Sequence, residues 1–192
     1  MDAWIRMIRL EDATGALEDM YRRALTPSGT VDNVMRAHSL RPHTMEGHLA
    51  LYRSVLHHSD NTLPLWFLEC VAVCTSLANK CTYSFTHHWA NARRLLKNEA
   101  KADGILEALQ TGVLEKAFSR KEQALLKYAR KLTLAPGDMV KSDVDECRAM
   151  GADDGEILEV NQVCAYFNYS NRLLNGLGVP LGDDIVGYYK AE

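Results

Sequence analysis

Four side chains, Glu69, Cys81, Ser84 and His88, carry the chemistry this sequence offers. Glu69 is the only charged residue between Leu63 and Asn79, within the stretch LPLWFLECVAVC. A carboxylate on so apolar a helix is expected to be at least half buried, and burial raises a carboxyl pKa. That suits a group that takes and gives a proton near neutral pH. Cys81 opens the string CTYSFTHH, just after Asn79-Lys80 interrupts the apolar stretch. The break places Cys81 in the first turn of a new helix. There, free amide N–H groups, the helix dipole and neighbouring Lys80 favour a thiolate. Ser84 and His88 follow at i+3 and i+7, so all three side chains lie along one stripe. A histidine one turn from a serine accepts a proton from its hydroxyl, or from a thiol through a water. His87 points roughly 100° away and is secondary.

Taken singly, each residue is as readily structural: a rim glutamate, an inert buried cysteine, a packed histidine. The conjunction is what points to a site. The other cysteines, Cys70, Cys74, Cys147 and Cys164, read as small core hydrophobes, and the odd total of five argues against a disulfide framework. Cys74 meets Cys81 only if the helix break folds them together. No metal or other cofactor is expected. The seven histidines include no H-E-x-x-H pattern, and the adjacent pairs His57-His58 and His87-His88 diverge from their helices.

Helices must position these groups. Strand-like alternation is absent, and proline and glycine punctuate amphipathic segments. Helices are expected over 11–24 and 31–38, from Pro42, from near Pro64 to Asn79, and from Cys81 to near Asn98. A short one follows in ADGILEALQTG. Capping boxes at Ser119/Glu122 and Asp153/Glu156 open two more, with another over 140–150 between them. The expected architecture is an all-α bundle of about eight helices in one domain, residues 1–192, with the site on the helix pair at about 63–97. The tail, 181–192, is expected to be an arm that packs on a neighbouring subunit.

Hydrophobic residues make up 47% of the chain, enough for a sizeable core. A net charge of −3 gives no reason to expect nucleic acid or an anionic membrane as partner. No apolar run reaches the ~18 residues of a membrane helix, and the N-terminus has no apolar signal segment, so a cytoplasmic protein is expected.

The segment 63–94 resembles the alkylhydroperoxidase-D-like branch of the carboxymuconolactone decarboxylase family. The pattern there is a glutamate on an apolar helix, C-x-x-C twelve residues later, and a histidine four residues after the second cysteine. Glu69, Cys81, Ser84 and His88 occupy the matching positions, with serine in place of the second cysteine. SRKEQALLKYARKLTLAP and VNQVCAYFNYSNRLLNGLGVP look like later helices of the peroxidase-related members, and VDNVMRAHSLRPHTMEGHLALYRSVL like their N-terminal helices. The resemblance implies an AhpD-like helical fold, assembled as a homo-oligomer (dimer, trimer or hexamer). It also implies a glutamate–histidine proton relay that activates a thiol toward hydroperoxides, with an external thiol or dithiol as reductant. The second cysteine of the motif is the one generally assigned the attack on peroxide, and a serine hydroxyl cannot replace it.

Three readings follow. The leading one is a peroxidase-related oxidoreductase reducing alkyl hydroperoxides at a single-cysteine C-x-x-S site: Cys81 attacks, Ser84 hydrogen-bonds to the thiolate, and Glu69 and His88 move protons. The second is a non-redox acid–base enzyme acting on a small organic acid or lactone, with Glu69 and His88 as the couple and Cys81 lining the pocket. The third is a catalytically degenerate homologue that binds a small ligand.

Overall fold

A computed structural model describes residues 2–187 of the chain. Among these residues the protein is all helical, without a strand. The α-helices are α1 (Ala16–Arg23), α2 (Asn33–Arg36), α3 (Pro42–His57), α4 (Leu65–Ala78), α5 (Thr82–Leu96), α6 (Glu99–Thr111), α7 (Arg120–Leu134), α8 (Lys141–Ala149) and α9 (Asp154–Gly176). The helix expected over 11–24 is divided. A single turn at Leu10–Asp12 precedes Gly15, whose φ of 55° interrupts the chain before α1. Both expected capping boxes form, on α7 and on α9.

The bundle is built around α4, against which α3, α5, α6, α7 and α9 pack. Every residue from Phe67 to Ser76 is buried. An all-round apolar helix is stable in water only when surrounded in this way. A smaller cluster joins α1, α2 and α3 through Tyr21, Met35 and Met45, and another lies where Cys81 meets the end of α9.

Two devices place α4 and α5. At the corner between them, Lys80 takes a left-handed conformation with φ of 53°. The Lys80 N–H then donates to the Leu77 carbonyl at 3.1 Å and the Cys81 N–H to the Ser76 carbonyl at 2.9 Å. These are the paired bonds that close a helix C-terminus, here with lysine where glycine is usual. Cys81 therefore ends one helix and caps the next, one residue before the first turn expected for it. The corner is held to α9, where Asn168 Oδ1 accepts from Asn79 Nδ2 and Asn175 Nδ2 donates to the Asn79 carbonyl.

At the other end of α4, the Glu159 carboxylate accepts from the Thr62 N–H (2.7 Å), the Thr62 hydroxyl (3.0 Å) and the Leu63 N–H (2.9 Å). Removing a charged acceptor of this kind costs about 1.5–3 kcal/mol. Glu159→Ala is expected to lower the unfolding free energy in urea by that amount. Glu159→Gln, which keeps one acceptor oxygen, costs less. An unchanged midpoint in the alanine variant would show that α9 does not hold this loop.

The stretch 181–187 lies on the chain itself. Asp184 accepts from the Asn33 N–H and the Tyr83 hydroxyl, and the Arg94 guanidinium donates to the carbonyls of Val186 and Gly187. The remainder of the proposed arm, 188–192, lies outside the described residues. No helix among the described residues is long and apolar enough to cross a membrane.

Candidate active site

The far end of the α5 stripe meets α4 through a polar contact. His88 Nδ1 donates to Glu69 Oε2 at 2.6 Å, and Asn91 Nδ2 donates to Glu69 Oε1 at 3.2 Å. Both carboxylate oxygens are thus engaged by side chains of α5. Glu69 has no solvent exposure at all. A buried carboxylate is tolerated only when paired and hydrogen-bonded in this way. The His88 ring is also held by Phe167 of α9, edge to face, with centroids 4.5 Å apart. With Nδ1 committed to Glu69, Nε2 is the atom left to exchange a proton with a ligand.

A ligand has somewhere to sit. His88, Ser84 and Asn91 line a small cavity of about 70 Å³, whose wall also includes Asp32, Tyr52 and Tyr166. Asp32, Met35 and Tyr52 also line an outer cleft of about 850 Å³ between the segment that follows α1 and the outer part of α3, so the cleft abuts the cavity. Tyr52 stands at this junction, its ring 4.8 Å from His57 and 6.4 Å from His88. Burial lowers the His57 pKa against the opposing pull of Glu69. Burial, with a smaller contribution from Asp184, pushes the Asp32 carboxyl up to about 7. His87, also on the cavity wall, is pushed down to about 4 by burial and by His88.

Cys81 lies elsewhere. It is buried but does not line the cavity; it packs with Ala37, Leu174 and Val179, behind Val34 and Tyr83, which do belong to the cavity wall. Burial raises its thiol pKa, and the N–H groups of Ser84 and Tyr83 offset part of that rise. Cys74 lies in the main core with its sulfur toward the Leu126 carbonyl. All five cysteines are free and buried. Among the described residues no group of three or more His, Cys, Asp or Glu side chains is placed to hold a metal ion.

The fold therefore brings Glu69, His88 and Ser84 to one place and sets Cys81 behind its wall. Sequence reasoning missed Asn91, although it extends the 84–88 stripe by three residues. Asp32, Tyr52 and Tyr166 gave no sequence signal, because each comes from a separate helix or its cap.

No protein-family model matches the chain, and no curated protein is significantly similar to it in sequence. Solved structures do match. An alkylhydroperoxidase AhpD core protein from Ralstonia eutropha, described as peroxidase-related, superposes with a TM-score of 0.81 at 23% identity, over 95% of this chain and 94% of that one. The chain has the AhpD core fold. A peroxidase-related protein from Silicibacter shares this AhpD-like arrangement with a TM-score of 0.74 at 22% identity, over 86% of this chain and 84% of that one. So does a cysteine-to-alanine variant of the debrominase Bmp8 in complex with 2,3,4-tribromopyrrole, with a TM-score of 0.74 at 19% identity over 95% and 94% of the two chains. The AhpD-like neighbours thus span more than one named activity, and identities this low speak for the fold.

Proposed function

We propose that this AhpD-like protein is an acid–base enzyme acting on a small organic acid or lactone. His88 Nε2 takes a proton from the ligand and returns it, while Glu69 holds Nδ1 and stabilises the imidazolium. The observation that carries this reading is the 2.6 Å His88–Glu69 bond at the wall of a cavity that Cys81 does not line. A buried carboxylate that fixes one ring nitrogen sets both the tautomer and the orientation of the other. Ser84, on the same wall, offers a hydroxyl to orient the ligand. The resemblance to the family supports assembly as a homo-oligomer.

One observation favours a second reading, hydroperoxide reduction at Cys81. The two amide N–H groups that act on its sulfur are a thiolate-stabilising feature. In that reaction the thiolate attacks the peroxide O–O bond, giving a sulfenic acid and an alcohol. One external thiol then forms a mixed disulfide and releases water, and a second restores Cys81 and leaves as the disulfide. The peroxide reaches the sulfur only if Val34, Tyr83 or Leu174 moves aside.

The two readings separate in one pair of assays. With carboxymuconolactone as probe, loss of the lactone chromophore is followed by absorbance. With hydrogen peroxide, trapping of Cys81 by dimedone is followed by mass spectrometry. Acid–base chemistry predicts lactone turnover and an unlabelled Cys81 in folded protein. Selective dimedone labelling of Cys81 without lactone turnover would overturn the first reading in favour of the second.

A further inference from the structure

A second polar assembly reaches the same cavity from the opposite side. The Tyr166 hydroxyl lies 2.8 Å from His48 Nε2, and His48 Nδ1 lies 3.1 Å from His38 Nε2. His38 Nδ1 lies 2.8 Å from Thr44 Oγ1, and Thr44 Oγ1 lies 2.8 Å from the Arg41 carbonyl. His38, His48 and Tyr166 are all at least 95% buried. Tyr166 lines the cavity; Thr44 lies at the exposed end.

The direction of this chain follows from its outer end. A carbonyl oxygen only accepts, so the single Thr44 hydroxyl proton is committed to Arg41. His38 Nδ1 must then carry the proton in its bond to Thr44. Burial lowers the pKa of His38, and burial together with His38 pushes His48 down to about 3, so each ring carries one proton. His38 Nε2 is therefore bare and accepts from His48 Nδ1–H. His48 Nε2 is bare in turn and accepts the Tyr166 hydroxyl proton. Every bond in the chain points outward, and each polarises the next. The only Tyr166 proton is directed away from the cavity, and its oxygen, which also shares a hydrogen bond with the Ser170 side chain on the cavity wall, keeps one acceptor site.

Two further acceptors share the cavity. Asp32 Oδ1 is buried with no hydrogen-bond partner among the described residues, and it is an acceptor once the carboxyl ionises above about pH 7. His88 Nε2 is an acceptor whenever the ring is neutral, because Nδ1 donates to Glu69. We propose that the cavity recognises a small ligand by an N–H or O–H donor, which Tyr166 accepts because the His48–His38–Thr44 chain holds the phenol proton away from it. The ligand class is a small molecule with a hydroxyl, enol or azole N–H, and a donorless isostere is rejected. This inference concerns recognition and stands whichever reaction Glu69 and His88 perform.

Two measurements on the intact protein decide it. In protein labelled with 15N-histidine, long-range 1H–15N correlation spectra are expected to show the Nδ1–H tautomer at both His38 and His48. An Nε2–H tautomer or an imidazolium at His48 overturns the proposal, because Tyr166 would then have its proton free to face the cavity. Binding is read by NMR titration at about pH 8 with two matched pairs of small probes, ethanol against fluoroethane and pyrazole against isoxazole. The donor member of each pair is expected to bind about ten-fold more tightly, the worth of one hydrogen bond to a buried acceptor. Tyr166→Phe is expected to abolish that preference. The comparison is made within one variant, so a loss of stability does not mimic it. Equal affinity within both pairs, or no binding by either donor, overturns the proposal.

Discussion

Replacing His88 with asparagine is expected to reduce turnover of the lactone probe by about 10²–10⁴-fold, the usual worth of a positioned general acid–base. Replacing Cys81 with serine is expected to change it by no more than a few-fold. The asymmetry follows from position. His88 is on the cavity wall with one nitrogen anchored 2.6 Å from a fully buried carboxylate, whereas Cys81 lies behind Tyr83 and Val34. Asparagine keeps a donor that can reach Glu69, so the buried carboxylate is not stranded, but it has no nitrogen that takes a proton near neutral pH. Glu69→Gln should fall between the two. It keeps the packing and loses the charge that stabilises imidazolium. The kcat and kcat/KM of the three variants, measured with circular dichroism to confirm folding, check the prediction. Loss of turnover in Cys81→Ser with retention in His88→Asn would transfer the chemistry to the thiol.

Stability should fall on acidification well before the ordinary carboxylate range. Burial, with adjacent imidazoles, pushes the folded pKa values of His48 and His87 down to about 3 and about 4. In the unfolded chain both sit near 6.5. Between about pH 4 and pH 6.5 the unfolded chain binds two protons that the folded chain refuses, so these residues cost stability as pH drops. Asp32 acts in the opposite sense. Its folded pKa is raised to about 7 from 3.8, so across that interval the folded chain keeps a proton the unfolded chain has released, and stability falls as pH rises. At about pH 5–6 the balance is two protons against one. The net slope is about 1.4 kcal/mol per pH unit, with stability greater at higher pH. His38 and His57 add to the histidine side, and Asp184 adds to that of Asp32. Above about pH 6.5 only the carboxyl side remains, so the maximum falls near that value. Urea midpoints from about pH 4.5 to 8 test this. Asp32→Asn should steepen the acid slope and stabilise the protein above pH 7. A flat profile between pH 5 and 6.5 would mean the buried histidines take up protons in the folded state.

Much of the fold is legible in the residues. The capping boxes at Ser119 and Asp153 form as their spacing requires, because a capping box is a local exchange of two hydrogen bonds. The break at Asn79-Lys80 is real, and the apolar run from Phe67 to Ser76 is surrounded because no other environment satisfies it. The split at Gly15 is harder to read, since an amphipathic pattern continues across a residue whose backbone turns away. For the site, a helical stripe places Ser84 and His88 together, and an isolated charge marks Glu69.

The sequence by itself determined the local order: which segments are helical, where they stop, and which side chains share a face of α5. Periodicity and capping act over a few residues and need no distant partner. Tertiary structure alone decided which of those side chains meet a ligand. Cys81 and Ser84 share a stripe, yet only Ser84 lines the cavity, because the end of α9 covers Cys81 with Leu174 and Val179. Asp32 and Tyr166 enter the same cavity from opposite ends of the chain, and the His38–His48 pair, whose direction is set locally at Thr44, reaches the cavity only when α3 packs on α9 and brings Tyr166 to His48. Such convergence depends on packing between helices far apart in sequence, which no local pattern encodes.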